Sequence, residues 1–225
     1  MISVGEALEH LRPLISPTST EIVPIHEALD RVLSQDLRAT RTQPPFSASA
    51  MDGYAMRGSD VSAGAVLHVS GEAAAGHGFA GDVRPGTCGR IFTGAPVPES
   101  ADHVVIQEDV DRTGDSVTVR GDVGLGTNIR PAGADFVEGD GLGHLGPLSP
   151  AALALLAAMG HGTLPVHRKP VVALIPTGDE LVPPGAPMGP DQIVSSNSYG
   201  LAAQIIRACG EPRILPIAPD RLDPL

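Results

Sequence analysis

The chain has 225 residues, a formal net charge of -11 and a single lysine, Lys169. Such a balance repels nucleic acid and anionic membranes over most of the surface, and an aromatic content of 3% without tryptophan removes the stacking platforms of single-strand binders. With 22 Pro and 27 Gly the elements should be short, and the core must be built from Ala, Val, Leu and Ile. Cys88 and Cys209 are far apart and form no CxxC pair, which predicts two unpaired thiols in a reducing compartment. No basic-then-apolar leader opens the chain, and the apolar run 151–159 is too short to span a bilayer. The expected location is the cytoplasm, without nucleic-acid or membrane partners.

Ser3 and Glu6 have capping-box spacing, and Val4, Ala7, Leu8 and Leu11 form one helical face that Pro13 closes. Residues 21–25 read as extended. Residues 27–34 read as a second helix with Ala28, Leu29, Val32 and Leu33 inward. Both are too short to stand alone and need a partner.

From Pro44 the character changes. Residues 44–56, PPFSASAMDGYAM, hold an Asp-Gly turn at Asp52 and Gly53. Short apolar runs between turns follow at 66–69, 88–92, 104–107 and 117–119, and the last two read as a hairpin. This segment is expected to form a small all-β domain. Helix signals return at Ser149 and Pro150 and run to Met159, with Gly160 as stop. That helix is expected to pack on the amino-terminal helices, and residues 160–170 look like a linker.

Residues 171–175, VVALI, are an unbroken aliphatic run of the kind expected for a strand buried on both faces of a mainly parallel sheet. The chain then turns polar at Thr177, Gly178, Asp179 and Glu180, and ligands of open α/β sheets sit outside such strand ends. Ser196, Asn197 or Ser198 can cap a following helix that Gly210 ends, and its amino end offers N–H groups to an anion. Carboxylates beside an anion imply a bridging divalent cation. A second strand is expected at 213–217. One strand, one helix and part of another strand cannot bury both faces of a parallel sheet, so this part should complete itself against another chain or residues beyond Leu225.

Two Gly patterns, GHGFAG at 76–81 and GLGHLG at 141–146, fit a dinucleotide fingerprint but neither joins a strand to a helix, so both read as turns. No HExxH, GxSxG or GxxxxGK[ST] motif occurs.

PPFSASAMDGYAM, GEAAAG at 71–76, IFTGAPVPESADHVV at 91–105, NIRPAGADFVEGD at 128–140, LIPTGDELV at 174–182 and SSNSYGLAAQI at 195–205 together resemble the molybdopterin molybdenumtransferases, the MoeA and gephyrin E-domain family. The resemblance implies a multidomain α+β fold. Its parts are a discontinuous helical linker and dimerisation domain (1–43 plus 141–168), an inserted all-β domain (44–140) and the start of an α/β molybdopterin-binding domain (169–225). It implies a homodimer that inserts molybdate into adenylylated molybdopterin with release of AMP and a requirement for magnesium. Glu180 matches the family's active-site carboxylate, with Asp179 beside it as a second metal ligand. Asp52 and Asp135 match catalytic positions, and Thr93, Thr177, Gly178, Asn197 and Ser198 match substrate-binding ones, those of the β domain reaching across a dimer cleft. Asp52 also suits a plain Asp-Gly turn, Thr93 a turn hydroxyl and Asp135 a loop cap. The family's later Ser-Gly-Gly stretch with its lysines has no counterpart, so a non-catalytic, dimerising fragment is the alternative. An unrelated α/β nucleotide-binding enzyme is a third reading.

Overall fold

The structure, a computed structural model, describes residues 2–121, 123–124, 126–143 and 146–221. The described residues fall into two compact units. One comprises Met1–Asp36, Leu142–Ala157 and His161–Leu225, the other Leu37–Gly141 and Ala158–Gly160. Among them no helix is long and apolar enough to cross a membrane.

In the first unit, α1 (Val4–Leu11) has the capping box: the Glu6 N–H donates to Ser3 Oγ and the Ser3 N–H to the Glu6 carboxylate. None of its residues is buried. Strand β1 (Thr20–Pro24) follows. The expected helix at 27–34 is absent. A single 3-10 turn, Ile25–Glu27, gives way to Asp30 in the left-handed region (φ 61°). The backbone of this stretch is claimed by distant segments instead: the Asp30 N–H donates to Leu148 O, the Leu148 N–H to Arg31 O, and the Ser34 N–H to Pro165 O. Arg31 is buried, ion-paired to Glu21 and donating to His167 O. These tertiary bonds outweigh the weak propensity of one short amphipathic pattern.

The second unit is built on strands β2 (Ala48–Ser49), β3 (Gly53–Met56), β4 (Val66–Ala73), β5 (Thr87–Ile91), β6 (His103–Ile106), β7 (Val110–Thr113), β8 (Ser116–Val119) and β9 (Ile129–Arg130). Six of them form a mixed sheet in the order β6-β3-β5-β4-β8-β7, and β2 pairs with β9. Strand alternation puts Tyr54, Met56, Leu67, Val105 and Val117 into one apolar cluster and Ala55, Ala73, Ile91 and Val104 into another. The strand buried on both faces is therefore GYAM of β3, all four residues of which are inaccessible. The expected hairpin between 104–107 and 117–119 is not formed: a 3-10 turn at Gln107–Asp109 redirects the chain, β7 pairs with β8, and β6 lies at the opposite edge. Residues 76–81 are a turn region, as expected. Residues 144 and 145 of the other Gly pattern lie outside the described residues.

The first unit resumes with α2 (Pro150–Ala158), whose Ala152 N–H donates to Ser149 Oγ. The segment read as a linker holds β10 (Thr163–His167), antiparallel to β1, with Leu164 and Val166 fully buried. Its partner lies about 140 residues upstream, which local pattern cannot reveal. Strands β11 (Val171–Leu174), β12 (Leu181–Val182) and β13 (Ile193–Val194), helix α3 (Asn197–Arg207) and β14 (Glu211–Ile214) complete the unit. β11 pairs in parallel with β14, as the aliphatic run predicts. It is not buried on both faces, however: Val171 is 53% and Val172 38% exposed. A two-stranded sheet with α3 packed against it leaves apolar surface uncovered.

Candidate active site

Beyond β11 the parallel pairing continues through a bridge between Thr177 and Ala218, with the Gly178 N–H donating to Ala218 O. At Gly178 (φ 151°) a Cβ would lie 2.6 Å from Glu180 Oε2, so the Glu180 carboxylate rests where only a glycine leaves room. Asp179 Oδ1 accepts a long 3.4 Å bond from the Asp220 N–H. Thr177, Asp179 and Glu180 are exposed. The Ile193 N–H donates to Glu180 O and the Ser195 N–H to Val182 O, so β13 delivers the start of α3 beside the strand that follows Glu180.

Ser196 is the N-cap of α3 but its side chain makes no capping bond. Asn197 is exposed, whereas Ser198 is buried and lines a cavity of about 160 Å³ with Pro176, Ser195 and Tyr199. Ser198 thus sits near the Thr177 end of the strand, while Asp179 and Glu180 stand outside that cavity. Beyond the Ala208 C-cap, Cys209 takes the left-handed conformation (φ 62°), so the helix stops before the Gly210 expected to end it. Gly210 is needed for a different reason: a Cβ there would meet Ile205 Cγ2 at 2.7 Å.

The other predicted residues lie in the second unit. Asp52 Oδ1 accepts from both the Thr93 N–H and the Thr93 hydroxyl, each at 2.8 Å, uniting residues 41 positions apart. The backbone N–H of Thr93, then its hydroxyl, hold the Asp52 carboxyl below the usual carboxylate range; partial burial opposes them and Arg90 assists. Gly53 opens β3 because a Cβ would lie 2.1 Å from Val105 O, and not because of a turn conformation. Asp135 is ion-paired with Arg130 on β9, which pairs with β2 three residues before the bend that carries Asp52.

Arg90 is the residue that pattern reading passed over. Its guanidinium lies over the rings of Tyr54 (5.0 Å) and Phe92 (4.7 Å) and donates to Gly53 O and Gln107 Oε1. The one sequence signal is an arginine three residues before Thr93 on an otherwise apolar strand; its partners come from β3 and the β6 end.

Among the described residues no group of three or more His, Cys, Asp or Glu side chains could hold a metal. Asp179 and Glu180 are neighbours in the chain and both exposed, and two carboxylates are the type of oxygen donor a hard divalent cation takes together with water.

Residues 2–160 match the family described as MoeA N-terminal region, domains I and II. The chain belongs to the MoeA family. MoeA relatives include molybdopterin molybdenumtransferase 2 of Mycobacterium tuberculosis, 39% identical over 208 residues that cover 90% of this chain and 50% of the relative. The molybdopterin molybdenumtransferase of Bacillus subtilis is 34% identical over 232 residues, 99% of this chain and 54% of the relative. A solved structure of the molybdopterin biosynthesis MoeA protein of Pyrococcus horikoshii superposes with a TM-score of 0.89 at 34% identity, covering 99% of this chain and 61% of that one. The chain spans about half the length of the curated MoeA relatives it matches.

Proposed function

We propose that this chain serves molybdenum cofactor biosynthesis, contributing to the insertion of molybdate into adenylylated molybdopterin with release of AMP. The observation that carries the reading is the Glu180 carboxylate seated against Gly178 at the end of β11, in a chain of the MoeA family. Water attacks a phosphorus of the phosphoanhydride, the P–O bond breaks and AMP leaves, while the two dithiol sulfurs bind the metal of molybdate and one molybdate oxygen leaves as water with the two thiol protons. Glu180 and Asp179 would hold a magnesium ion, which supplies charge neutralisation at the phosphates. Thr177, Gly178, Asn197 and Ser198 orient the pterin substrate by hydrogen bonding. Asp52, Thr93 and Asp135 act from the β-rich unit of a second copy in a homodimer; a carboxylate that stays ionised through two Thr93 bonds suits hydrogen-bond acceptance from a substrate proton.

The test is AMP release from adenylylated molybdopterin by the purified chain with magnesium and molybdate, beside Glu180→Gln. Release that Glu180→Gln lowers at least about a hundredfold supports the assignment, in the range of lost transition-state charge stabilisation. Unchanged release in the variant refutes the role of Glu180. No release from the folded chain favours a dimerising, non-catalytic module, which sedimentation would reveal.

A further inference from the structure

A different cavity of the first unit, about 440 Å³, lies at the opposite end of β11. Lys169 and Pro170, just before the strand, and Ala208 and Cys209, just after α3, contribute to its lining, and Ile15, Pro17 and Val32 add apolar surface to it. It shares no lining residue with the cavity at Ser198. Its volume falls within the roughly 300–1,000 Å³ of small-molecule pockets.

The charge on this lining runs against that of the chain. Among the described residues Arg31, Arg168 and Lys169 contribute cations and Asp30 the only carboxylate. Arg31 is ion-paired with Glu21 and donates to His167 O, and Arg168 shares Glu21 at 3.4 Å while its side chain stays 59% exposed. His167 Nδ1 donates to Thr18 O, which leaves Nε2 as the other ring nitrogen. Lys169, the only lysine of a chain with net charge -11, is exposed and has no ion-pair partner among the described residues. Counting Glu21 with the two arginines, one positive charge is left over beside an apolar wall.

We propose that this cavity is a binding site for a small organic carboxylate with an apolar body, its charged end held by Lys169 and Arg168. A monoanion matches the single surplus charge, and the lining buries an aromatic or acyl body. The site is separate from the molybdopterin reading and stands without it.

The cavity carries its own reporter. Cys209 lines it, unpaired and partly exposed, whereas Cys88 is fully buried with its thiol pushed up to about 11 by burial and stays silent at neutral pH. In the 225-residue chain, Cys209 modification is timed with dithiobis(nitrobenzoate), a disulfide bearing aromatic carboxylates, and with the uncharged dithiodipyridine. Naphthoate is expected to slow both reactions saturably. Lys169→Glu is expected to slow the carboxylate reagent about tenfold relative to the uncharged one, and to weaken naphthoate protection by a similar factor, as reversal of a partly screened charge implies. Lys169→Gln should shift both readouts in the same direction by less. Absence of saturable protection at millimolar naphthoate, or an unchanged ratio of the two reagents in both variants, overturns the proposal.

Discussion

Gly53→Ala should be among the most damaging single changes in the β-rich unit. The new Cβ would stand 2.1 Å from the Val105 carbonyl oxygen and 3.0 Å from Ile106 Cα, where ordinary contact begins at 3.4 Å. Both neighbours are backbone of β6, so β3 and β6 must part by more than an ångström at the Tyr54–Val105 pairing. Overpacking costs about 1–3 kcal/mol, and each weakened ladder bond adds about 1 kcal/mol. A loss of about 3–4 kcal/mol lowers the melting temperature of a unit of roughly 100 residues by about 15 °C. Tyr54, buried in this unit, and Tyr199 are the only tyrosines and there is no tryptophan, so Tyr54 fluorescence in Tyr199→Phe follows this transition alone. Gly89→Ala is the control: its Cβ would meet Phe79 Cε2 at 2.9 Å, the far end of a ring that can swing away, and the expected cost is about 1 kcal/mol. A Gly53→Ala shift under about 3 °C, or one equal to that of Gly89→Ala, refutes the steric argument.

Three further outcomes are expected. Gly178→Ala should displace the Glu180 carboxylate and lower AMP release about tenfold or more while thermal unfolding of the β-rich unit is unchanged, since misplacing a reacting group by an ångström is costly; equal release by variant and parent would separate Gly178 from the site. Asp52 is held below its unfolded pKa, so its contribution to stability is present above about pH 4 and is lost as pH falls through the lower folded value. In Thr93→Val the hydroxyl donor is gone but the backbone N–H remains, and the Asp52 carboxyl titration followed by NMR should rise only part of the way. Amide exchange across Val171–Leu174 should be fast compared with β3, because β11 has one pairing partner among the described residues and two half-exposed valines; strong protection there would contradict this.

Local chemistry made several parts legible in the sequence. Ser3 with Glu6, and Ser149 with Pro150, announce helix starts through side-chain bonds within three residues, and both helices form. The β-branched run at 171–174 becomes a parallel strand, and the polar turn after it carries Glu180. Family motifs also pointed to Asp52 and Thr93, though nothing in either stretch says that they share a hydrogen bond across 41 residues.

What tertiary structure decided was the destination of backbone hydrogen bonds and the burial of faces. The stretch 27–34 has helical periodicity, yet its N–H and C=O groups are taken by residues 147–148 and 165–167, which also turn the expected linker into β10. β6 and β8 look like hairpin partners by proximity, yet they end on different sides of a six-stranded sheet. Arg90 gains its place only when β3 brings Tyr54 and Gly53 beside it. Periodicity reports which residues prefer to be inside; it carries no information on which distant backbone will satisfy them, and that choice places Asp52, Thr93 and Arg90 around one bend.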